Sequence, residues 1–259
     1  MNDYSVKNKI VIITGATKGM GLASSKQLLN LGAKVVMIYR SDTENANQIE
    51  DELTDYKAHI LLLKADITKA SDRQRIIDET LLKFQEINVL INNAGIPSKM
   101  GFLKETEEDF DVVIDVNLKA PIFLAKLVAK QMIKQGHGGS IINFSSVCGH
   151  RAMGGISYDA AKAGIIRATQ TMANALGKYN IRVNSISPGT HKTEMNRHHW
   201  EKETDLHKKM ISVTALMRAA EANEIAGTVI YLASSQSSYT TGTDIIVDGG
   251  YLSHCPGRE

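Results

Sequence analysis

The sequence predicts a single-domain α/β protein with a Rossmann-type, doubly wound parallel sheet of about seven strands and helices on both faces. Two observations lead to this expectation. Short apolar runs rich in isoleucine and valine, typical of strands buried on both faces, alternate with longer segments of helical spacing. No Pro/Ser-rich linker or internal repeat interrupts this alternation. Such alternation favours right-handed crossovers within one parallel sheet.

Seven runs have the composition of buried strands, and six longer segments between them have helical periodicity. The predicted strands are residues 9–14, 34–39, 60–65, 89–92, 140–144, 182–186 and 244–247. The predicted helices are residues 19–31, 43–53, 71–84, 118–134, 158–176 and 221–233. The long stretch that fits neither pattern is about residues 190–212, and we expect it to form a mobile lid over the substrate.

Composition and charge exclude several classes of protein. The 259 residues are 43% hydrophobic and 22% charged, as in ordinary globular domains. The formal net charge of +2 is spread without long blocks, so neither a nucleic-acid nor a membrane partner is expected. The polar start of the chain and an apolar run that stops at Gly15 predict no signal peptide or spanning helix, and hence a cytoplasmic protein. Cys148 and Cys255 cannot form a disulfide framework, and we expect no catalytic role for them.

A glycine-rich turn follows the first predicted strand. Its sequence is Thr14-Gly15-Ala16-Thr17-Lys18-Gly19-Met20-Gly21, and a predicted helix begins within it. Glycines in such a turn allow the backbone to approach a pyrophosphate held at the helix N-terminus. Taken alone, the pattern fits a tight structural turn as well.

Further motifs follow in a defined order along the chain. They are Asn92-Asn93-Ala94-Gly95, Val116-Asn117-Leu118, Ser145-Ser146-Val147-Cys148-Gly149, Tyr158-Asp159-Ala160-Ala161-Lys162 and Pro188-Gly189. In these motifs and in the glycine spacing, residues 10–250 resemble the short-chain dehydrogenase/reductase family. The resemblance implies a nicotinamide cofactor and a reaction that interconverts a ketone and a secondary alcohol in a small molecule.

Tyr158 and Lys162 are four residues apart, which places them one turn apart on one face of a helix. A free tyrosine titrates near 10, so a neutral pKa needs a shift of about three units, or roughly 4 kcal/mol. We expect Lys162 and the positive nicotinamide to supply it. The resemblance implies that Tyr158 exchanges the proton, Ser146 hydrogen-bonds the same oxygen, Lys162 also holds the nicotinamide ribose, and Asn117 anchors a proton-relaying water.

The choice of catalytic serine depends on how the motif is aligned. Counting back thirteen residues from Tyr158, a common family spacing, selects Ser145, whereas alignment on the run that starts at Asn143 selects Ser146. Neighbouring residues of a strand point to opposite faces, so only one of them faces the cofactor. We choose Ser146, because a loop loses a residue more readily than a strand end shifts, and assign Ser145 a structural hydrogen bond behind the strand.

The cofactor is expected to be NADP(H). Tyr39 stands where NAD-dependent relatives carry an acidic residue, and Arg40 follows it. A guanidinium pairs with a 2′-phosphate, and Lys18 adds a second positive charge, although either alone would read as a solvated surface charge. The implied cofactor-binding residues are Gly15, Thr17, Lys18, Gly19, Met20, Gly21, Arg40, Ser41, Asp66, Ile67, Asn93, Ala94, Gly95, Tyr158, Lys162, Pro188, Gly189, His191 and Thr193.

Two positions depart from the family pattern. Asn88 stands where many relatives have an aspartate that we expect to support the Asn92–Gly95 turn. His191 replaces a branched apolar residue, so we transfer no substrate from a relative.

Four histidines lie in the predicted lid and raise the question of a metal site, but their spacing fits no zinc motif, so no metal is expected. They are His191, His198, His199 and His207.

Other functions are weighed against ketone reduction. A 3-oxoacyl-thioester reductase is the runner-up, but members that dock an acyl carrier protein carry arginines where this chain has His137 and Asn174. A non-catalytic NADPH sensor predicts an eroded catalytic set, which the sequence does not show. A sugar-nucleotide epimerase would have a different glycine spacing. The long apolar faces of residues 118–134 and 158–176 match helices that form subunit contacts in the family, so a homotetramer is expected.

Overall fold

A computed structural model describes residues 5–41, 43–98, 100–153, 155–202 and 204–253. Seven strands form one sheet, and all six pairings are parallel. Their order across the sheet is Ile60–Lys64, Lys34–Tyr39, Ile10–Thr14, Val89–Asn92, Gly139–Phe144, Ile181–Pro188 and Asp244–Val247. Helices cover both faces of this sheet. The predicted fold class is therefore confirmed. Within the described residues, no helix is long and apolar enough to span a membrane.

The strands of the main sheet are β1 (Ile10–Thr14), β2 (Lys34–Tyr39), β3 (Ile60–Lys64), β4 (Val89–Asn92), β5 (Gly139–Phe144), β6 (Ile181–Pro188) and β9 (Asp244–Val247). The helices are α1 (Gly19–Asn30), α2 (Thr43–Glu52), α3 (Ala70–Phe84), α4 (Glu107–Ile114), α5 (Ala120–Gln135), α6 (Ile156–Leu176), α7 (Arg197–Glu201), α8 (Asp205–Ser212) and α9 (Ala226–Ala233). Two short strands, β7 (His191–Lys192) and β8 (Ala220–Glu221), pair apart from the main sheet.

The alternation of side chains along each strand divides the core into two layers. Val11 and Ile13 point to one face of the sheet and pack with residues of α1, α2 and α9. Ile10 and Ile12 point to the other face and pack with residues of α3 and α5. Since both faces are covered, the central strands β1 and β4 are apolar except at their last residues, which is why they appear in the sequence as nearly continuous apolar runs.

The structure adds elements that the periodicity did not predict. Helix α4 begins after Thr106, whose hydroxyl accepts a hydrogen bond from the Asp109 amide in a capping box. Asp115–Lys119 is one turn of π-helix that joins α4 to α5. The helix predicted from residue 118 is therefore the continuation of a helical segment that begins with α4, and its winding changes at this turn. The segment 190–212 contains β7, α7 and α8.

The expected role of Asn88 is wrong. This residue precedes β4 at the amino end of the sheet, whereas the Asn92–Gly95 turn lies at the opposite end of that strand. The Asn88 side-chain oxygen accepts a hydrogen bond from the Ile10 amide at 2.6 Å, at the start of β1. An amide oxygen accepts this bond as a carboxylate would, so asparagine and aspartate both satisfy the position.

We predict that Asn88→Ala destabilises the protein by about 1–3 kcal/mol, because the Ile10 amide loses its acceptor. Asn88→Asp keeps an acceptor oxygen and is expected to retain most of the stability. Urea unfolding measures the difference between the two variants. Equal losses in both variants, or none in either, would contradict this role.

Candidate active site

The carboxyl ends of β1, β2, β3 and β4 surround a pocket at the point where the strand order reverses. In open α/β sheets, crevices at such a reversal bind ligands. The pocket includes nine of the cofactor-binding residues predicted from the sequence, three of them in the glycine turn. Its lining is Thr14, Gly15, Thr17, Lys18, Ile38, Tyr39, Arg40, Ser41, Ala65, Asp66, Ile67, Ala94, Gly95, Ile96 and Val116.

The glycine turn needs its glycines for close approach. Gly15 and Gly19 have φ angles of +64° and +54°, in the left-handed region that glycine favours. A Cβ on Gly21 would lie 2.2 Å from the Gly15 carbonyl oxygen, so helix α1 could not pack against the turn. Lys18 at the N-cap of α1 makes no side-chain cap, and no acidic residue occupies the first turn. The turn therefore suits a pyrophosphate at the helix N-terminus.

Two polar side chains hold the ends of β1 and β4 together below this turn. The Thr14 hydroxyl accepts hydrogen bonds from the Asn93 and Ala94 amides, each at 3.0 Å. The Asn93 side-chain amide donates to the carbonyls of Thr14 and Gly15 at 2.9 and 3.0 Å. Asn93 thus supports the shape of the glycine turn through its own side chain.

A second pocket adjoins the first and brings Tyr158 and Lys162 of α6 to the glycine turn. The two pockets share Gly15, Lys18, Ala94 and Gly95, which makes one elongated cleft. The lining of the second pocket is Gly15, Lys18, Gly19, Met20, Asn93, Ala94, Gly95, Phe144, Ser145, Tyr158, Lys162, Thr193 and Glu194. Arg40 lies at one end of this cleft and Tyr158 at the other.

Burial dominates the ionisation of Tyr158 and Lys162. Burial raises the pKa of Tyr158 to about 12, against a smaller lowering by a hydrogen bond from Ser146. Burial also lowers the pKa of Lys162 to about 8. The Lys162 ammonium lies 5.5 Å from the centroid of the Tyr158 ring and donates to the Phe144 carbonyl at 2.8 Å. In the chain alone, Lys162 therefore does not supply the downward shift that the sequence led us to expect.

The two adjacent serines have different partners. The Ser145 hydroxyl donates to the Lys162 carbonyl at 2.7 Å and links β5 to α6. The Ser146 hydroxyl accepts from the Cys148 amide at 3.2 Å, and it lies near enough to the phenol to lower the pKa of Tyr158. Ser146 is thus the serine beside the phenol, although Ser145 also borders the second pocket.

Asn117 lies in the π-helical turn between α4 and α5 and is buried. Its side-chain oxygen accepts from the Ile96 amide at 2.9 Å, and its side-chain nitrogen donates to the Ile96 carbonyl at 2.7 Å. A Cβ on Gly95 would lie 3.0 Å from the Asn117 oxygen, so the segment after β4 passes close to this helix. One-turn π-bulges of this kind often occur at functional sites.

The far end of the first pocket is polar and includes two exposed cations. Arg40 follows β2 and Lys18 lies in the glycine turn, and both border the same pocket. The Asp66 carboxylate borders it too, but accepts from the amide and hydroxyl of Thr68 at 3.0 and 2.7 Å. The end of β2 therefore carries the positive side chain of Arg40 and no carboxylate.

The residues predicted from the Pro188-Gly189 motif occupy different places. Thr193 borders the second pocket and packs against Gly19, where an added Cβ would lie 3.3 Å from Thr193 atoms. Gly189 is needed beside Asp248, since a Cβ there would lie 2.7 Å from the Asp248 Cα. Pro188 ends β6, and neither Pro188 nor Gly189 borders the cleft.

The buried His191 side chain borders a separate pocket, away from Tyr158. That pocket also contains Thr190, Thr214, Arg218 and Glu224. The His191 Nδ1 atom lies 3.2 Å from the Gly189 carbonyl, and burial lowers the pKa of the imidazole. Its imidazole therefore does not reach the cofactor cleft.

The structure gives no support to a metal site among the described residues, where no group of three His, Cys, Asp or Glu side chains could hold an ion. The side chains of His199 and His207 and the whole of Cys255 lie outside the described part of the chain.

Burial raises the pKa of the free Cys148 thiol beside Tyr158.

Several cleft residues were not predicted from the sequence, and five of them are apolar types that carry no chemical signal. These five are Ile38, Ala65, Ile96, Val116 and Phe144, and the sixth is the charged Glu194. Ile38, Ala65 and Phe144 lie at or just after the carboxyl ends of strands β2, β3 and β5. Their position at this edge of the sheet, rather than their residue type, was the signal that could have found them.

Comparison with known proteins agrees with this geometry. A family model described as "Enoyl-(Acyl carrier protein) reductase" matches residues 15–252. An L-rhamnose-1-dehydrogenase of Scheffersomyces stipitis is 37% identical over 251 residues, which cover 95% of this chain and 96% of the relative. An NADP-dependent mannitol dehydrogenase of Hypocrea jecorina is 36% identical over 254 residues, which cover 96% and 94%.

Solved structures share the fold over nearly the whole chain. A crystal structure of a short-chain type dehydrogenase/reductase from Mycobacterium marinum has a TM-score of 0.89 and 31% identity, and the match covers 96% of this chain and 98% of that one. The family model and these relatives extend across the glycine turn, Asn117, the serine pair and the Tyr158–Lys162 turn. The chain belongs to the short-chain dehydrogenase/reductase family of oxidoreductases, which use a nicotinamide cofactor.

Proposed function

We propose that this protein is an NADP(H)-dependent oxidoreductase that interconverts a ketone and a secondary alcohol, with Tyr158 as its acid/base. One observation carries the proposal. The Tyr158 phenol, which lies beside Ser146 and one helical turn from Lys162, borders the same pocket as the glycine turn. A proton donor is thus held beside a place suited to a dinucleotide, which is what carbonyl reduction requires.

In the proposed mechanism, the cofactor supplies or accepts a hydride when bound. The Tyr158 hydroxyl gives its proton to the carbonyl oxygen in reduction and takes it back in oxidation. Ser146 donates a hydrogen bond to the same oxygen and keeps it oriented toward Tyr158. Because the pKa of Tyr158 is about 12, the phenol stays protonated at neutral pH and is ready to act as the acid.

Oxidation requires the opposite protonation state of Tyr158, since its phenolate must accept a proton. A positive charge close to the ring stabilises the phenolate and lowers the pKa of Tyr158. Lys162, whose pKa is lowered to about 8, is partly neutral in mildly alkaline solution and contributes less there. We therefore assign Lys162 mainly to holding the cofactor's ribose and the shape of the site, with Asn117 as the anchor of a relay water.

We place polyhydroxylated carbonyl compounds and their alcohols first among the candidate substrates. Two relatives that match this chain over nearly its full length are named for L-rhamnose and mannitol. The 3-oxoacyl thioesters remain the second candidate, because the matching family model is named for a carrier-protein reductase. Relatives that dock such carriers have arginine at the position of His137. In this chain, the His137 Nε2 atom lies 3.2 Å from a carboxylate oxygen of Glu86.

Arg40 and Lys18 support the preference for NADP(H), since both border the pocket beyond β2. The relative from Hypocrea jecorina is itself named as NADP-dependent.

We also propose that the chain forms one catalytic domain with residues 190–212 as its lid. The homotetramer stays a prediction from the family resemblance.

The activity is tested by initial rates of NADPH oxidation with a panel of ketoses, keto-acids, cyclic ketones and acetoacetyl thioesters. We expect turnover of at least one ketose or keto-acid. Tyr158→Phe is expected to lower kcat by about 10²–10⁴-fold, because the proton donor is lost while the ring remains. NADPH binding to this variant, followed by fluorescence, should be unchanged. Full activity in Tyr158→Phe would refute the mechanism.

The two serines are separated by a matched pair of variants. Ser146→Ala is expected to lower kcat by about 10²-fold, because a donor to the reacting oxygen is lost. Ser145→Ala is expected to keep kcat within several-fold and to cost about 1 kcal/mol of stability, since its hydroxyl bonds the Lys162 carbonyl. Steady-state kinetics and urea unfolding distinguish the two effects. The reverse pattern would assign the reaction to Ser145.

Cofactor preference is tested with Arg40→Asp. The variant is expected to lower kcat/KM for NADPH by about 10–100-fold, as loss of a hydrogen bond to a charged group does, and to leave NADH use intact. Lys57→Asp is the control, because Lys57 is exposed, lies outside the cleft and undergoes the same change of charge. An unaltered NADPH preference in Arg40→Asp, or an equal loss in Lys57→Asp, would remove the role given to Arg40.

A further inference from the structure

The helix that carries Tyr158 and Lys162 begins without a capping side chain of its own. The N-cap of α6 is Gly155, and the first four amides of any helix need acceptors from outside the helix. Tyr158 is only the third residue of α6, so the placement of its hydroxyl depends on how firmly this first turn is held.

A carboxylate from a distant part of the chain takes the place of the missing cap. One oxygen of Glu105, from the segment between β4 and α4, accepts from the Ser157 amide at 3.3 Å. Its other oxygen accepts from the Ser157 hydroxyl at 2.5 Å. Ser157 is completely buried and directly precedes Tyr158. A negative group at a helix N-terminus is also favoured by the helix dipole.

The same carboxylate is fixed from its own side of the contact. The Ser98 hydroxyl donates to Glu105 at 2.7 Å. A Cβ on Gly155 would lie 2.0 Å from the Ser98 Cβ, so this position needs glycine for Ser98 to come so close. The hydrogen bonds from Ser157 and Ser98 lower the pKa of Glu105, which keeps it ionised at neutral pH.

A second carboxylate secures the opposite side of the turn. Asp159 accepts a hydrogen bond from the Met153 amide at 3.0 Å, which ties the loop after β5 to α6. The segment that carries Glu105 is anchored at its other end by the bonds between Ile96 and Asn117. The first turn of α6 is therefore attached to both loops that border the reacting end of the cleft.

We infer that Glu105 is a positioning residue: through Ser157 it fixes the first turn of α6 and so holds the Tyr158 hydroxyl at the distance and angle that proton transfer needs. Glu105 itself touches no reacting atom. The inference rests on the proposed role of Tyr158. Displacement of a reacting group by about 1 Å can cost about 10²-fold in rate, so a lost tether should affect turnover more than binding.

The test compares Glu105→Ala with Glu108→Ala, an exposed glutamate in the first turn of the neighbouring helix α4. Glu105→Ala is expected to lower kcat by about 10–100-fold while the Kd for NADPH changes less than about twofold. Glu105→Gln keeps an acceptor for the Ser157 amide and is expected to recover part of the loss. Glu108→Ala should match the parent enzyme in both quantities.

A double-mutant cycle identifies the partner. Ser157→Ala should lower kcat as well, and the double variant with Glu105→Ala should be no slower than the slower single variant, since both remove one interaction. Additive losses would overturn the inference. Backbone amide exchange over residues 155–160 gives a readout that needs no substrate. It should accelerate in Glu105→Ala and stay unchanged in Glu108→Ala.

Each remaining outcome decides one point. An unaltered kcat in Glu105→Ala beside an inactive Tyr158→Phe would overturn the positioning role and leave the proposed function standing. A fall in activity that follows only the loss of folded enzyme, measured by NADPH titration of binding sites, would reduce Glu105 to a structural residue. A fully active Tyr158→Phe would overturn both proposals.

Discussion

The parallel pairing of β1 with β4 is the constraint on which the rest of the molecule depends. It reverses the strand order of the sheet and leaves a crevice where the carboxyl ends of these strands separate. Thr14 closes the base of that crevice with two hydrogen bonds to the segment after β4. Together with the two bonds from the Asn93 side chain, this link holds the glycine turn and the Asn92–Gly95 turn beside each other. The cleft is a consequence of sheet topology before it is a consequence of any reactive side chain.

Burial then decides what the reactive side chains can do. The surroundings that exclude water from Tyr158 keep its proton in place, and the same surroundings weaken the charge of Lys162. With a pKa of about 8, Lys162 is still mostly protonated at neutral pH, beside a phenol that also keeps its proton. The polypeptide alone favours the acid form of the phenol, so the balance between reduction and oxidation depends on the charge brought into the cleft.

Much of the fold was predictable because apolar strands and helical spacing are local properties of the sequence. The strand bounds agree to within about two residues, and the motif residues from Gly15 to Gly95 lie together at one edge of the sheet. Helix α4 was missed, although Thr106 and Asp109 form a capping box that the sequence contains. The contact between Asn117 and Ile96 could not be predicted from local sequence, since it joins residues 21 positions apart. The positions of the Asn88 and His191 side chains also depend on tertiary contacts. Asn88 bonds to β1, and His191 packs in the region of β7 and β8.

The bonds between Asn117 and Ile96 involve only the main chain of Ile96. Any residue except proline offers the same amide and carbonyl, so the side chain at position 96 is not constrained by this anchor. That side chain nevertheless borders the cleft. Natural variation or laboratory selection can therefore reshape the wall of the cavity at this point without releasing the loop from its support. The architecture thus separates the main-chain bonds that must stay constant to support the loop from a wall of the first pocket that is free to vary.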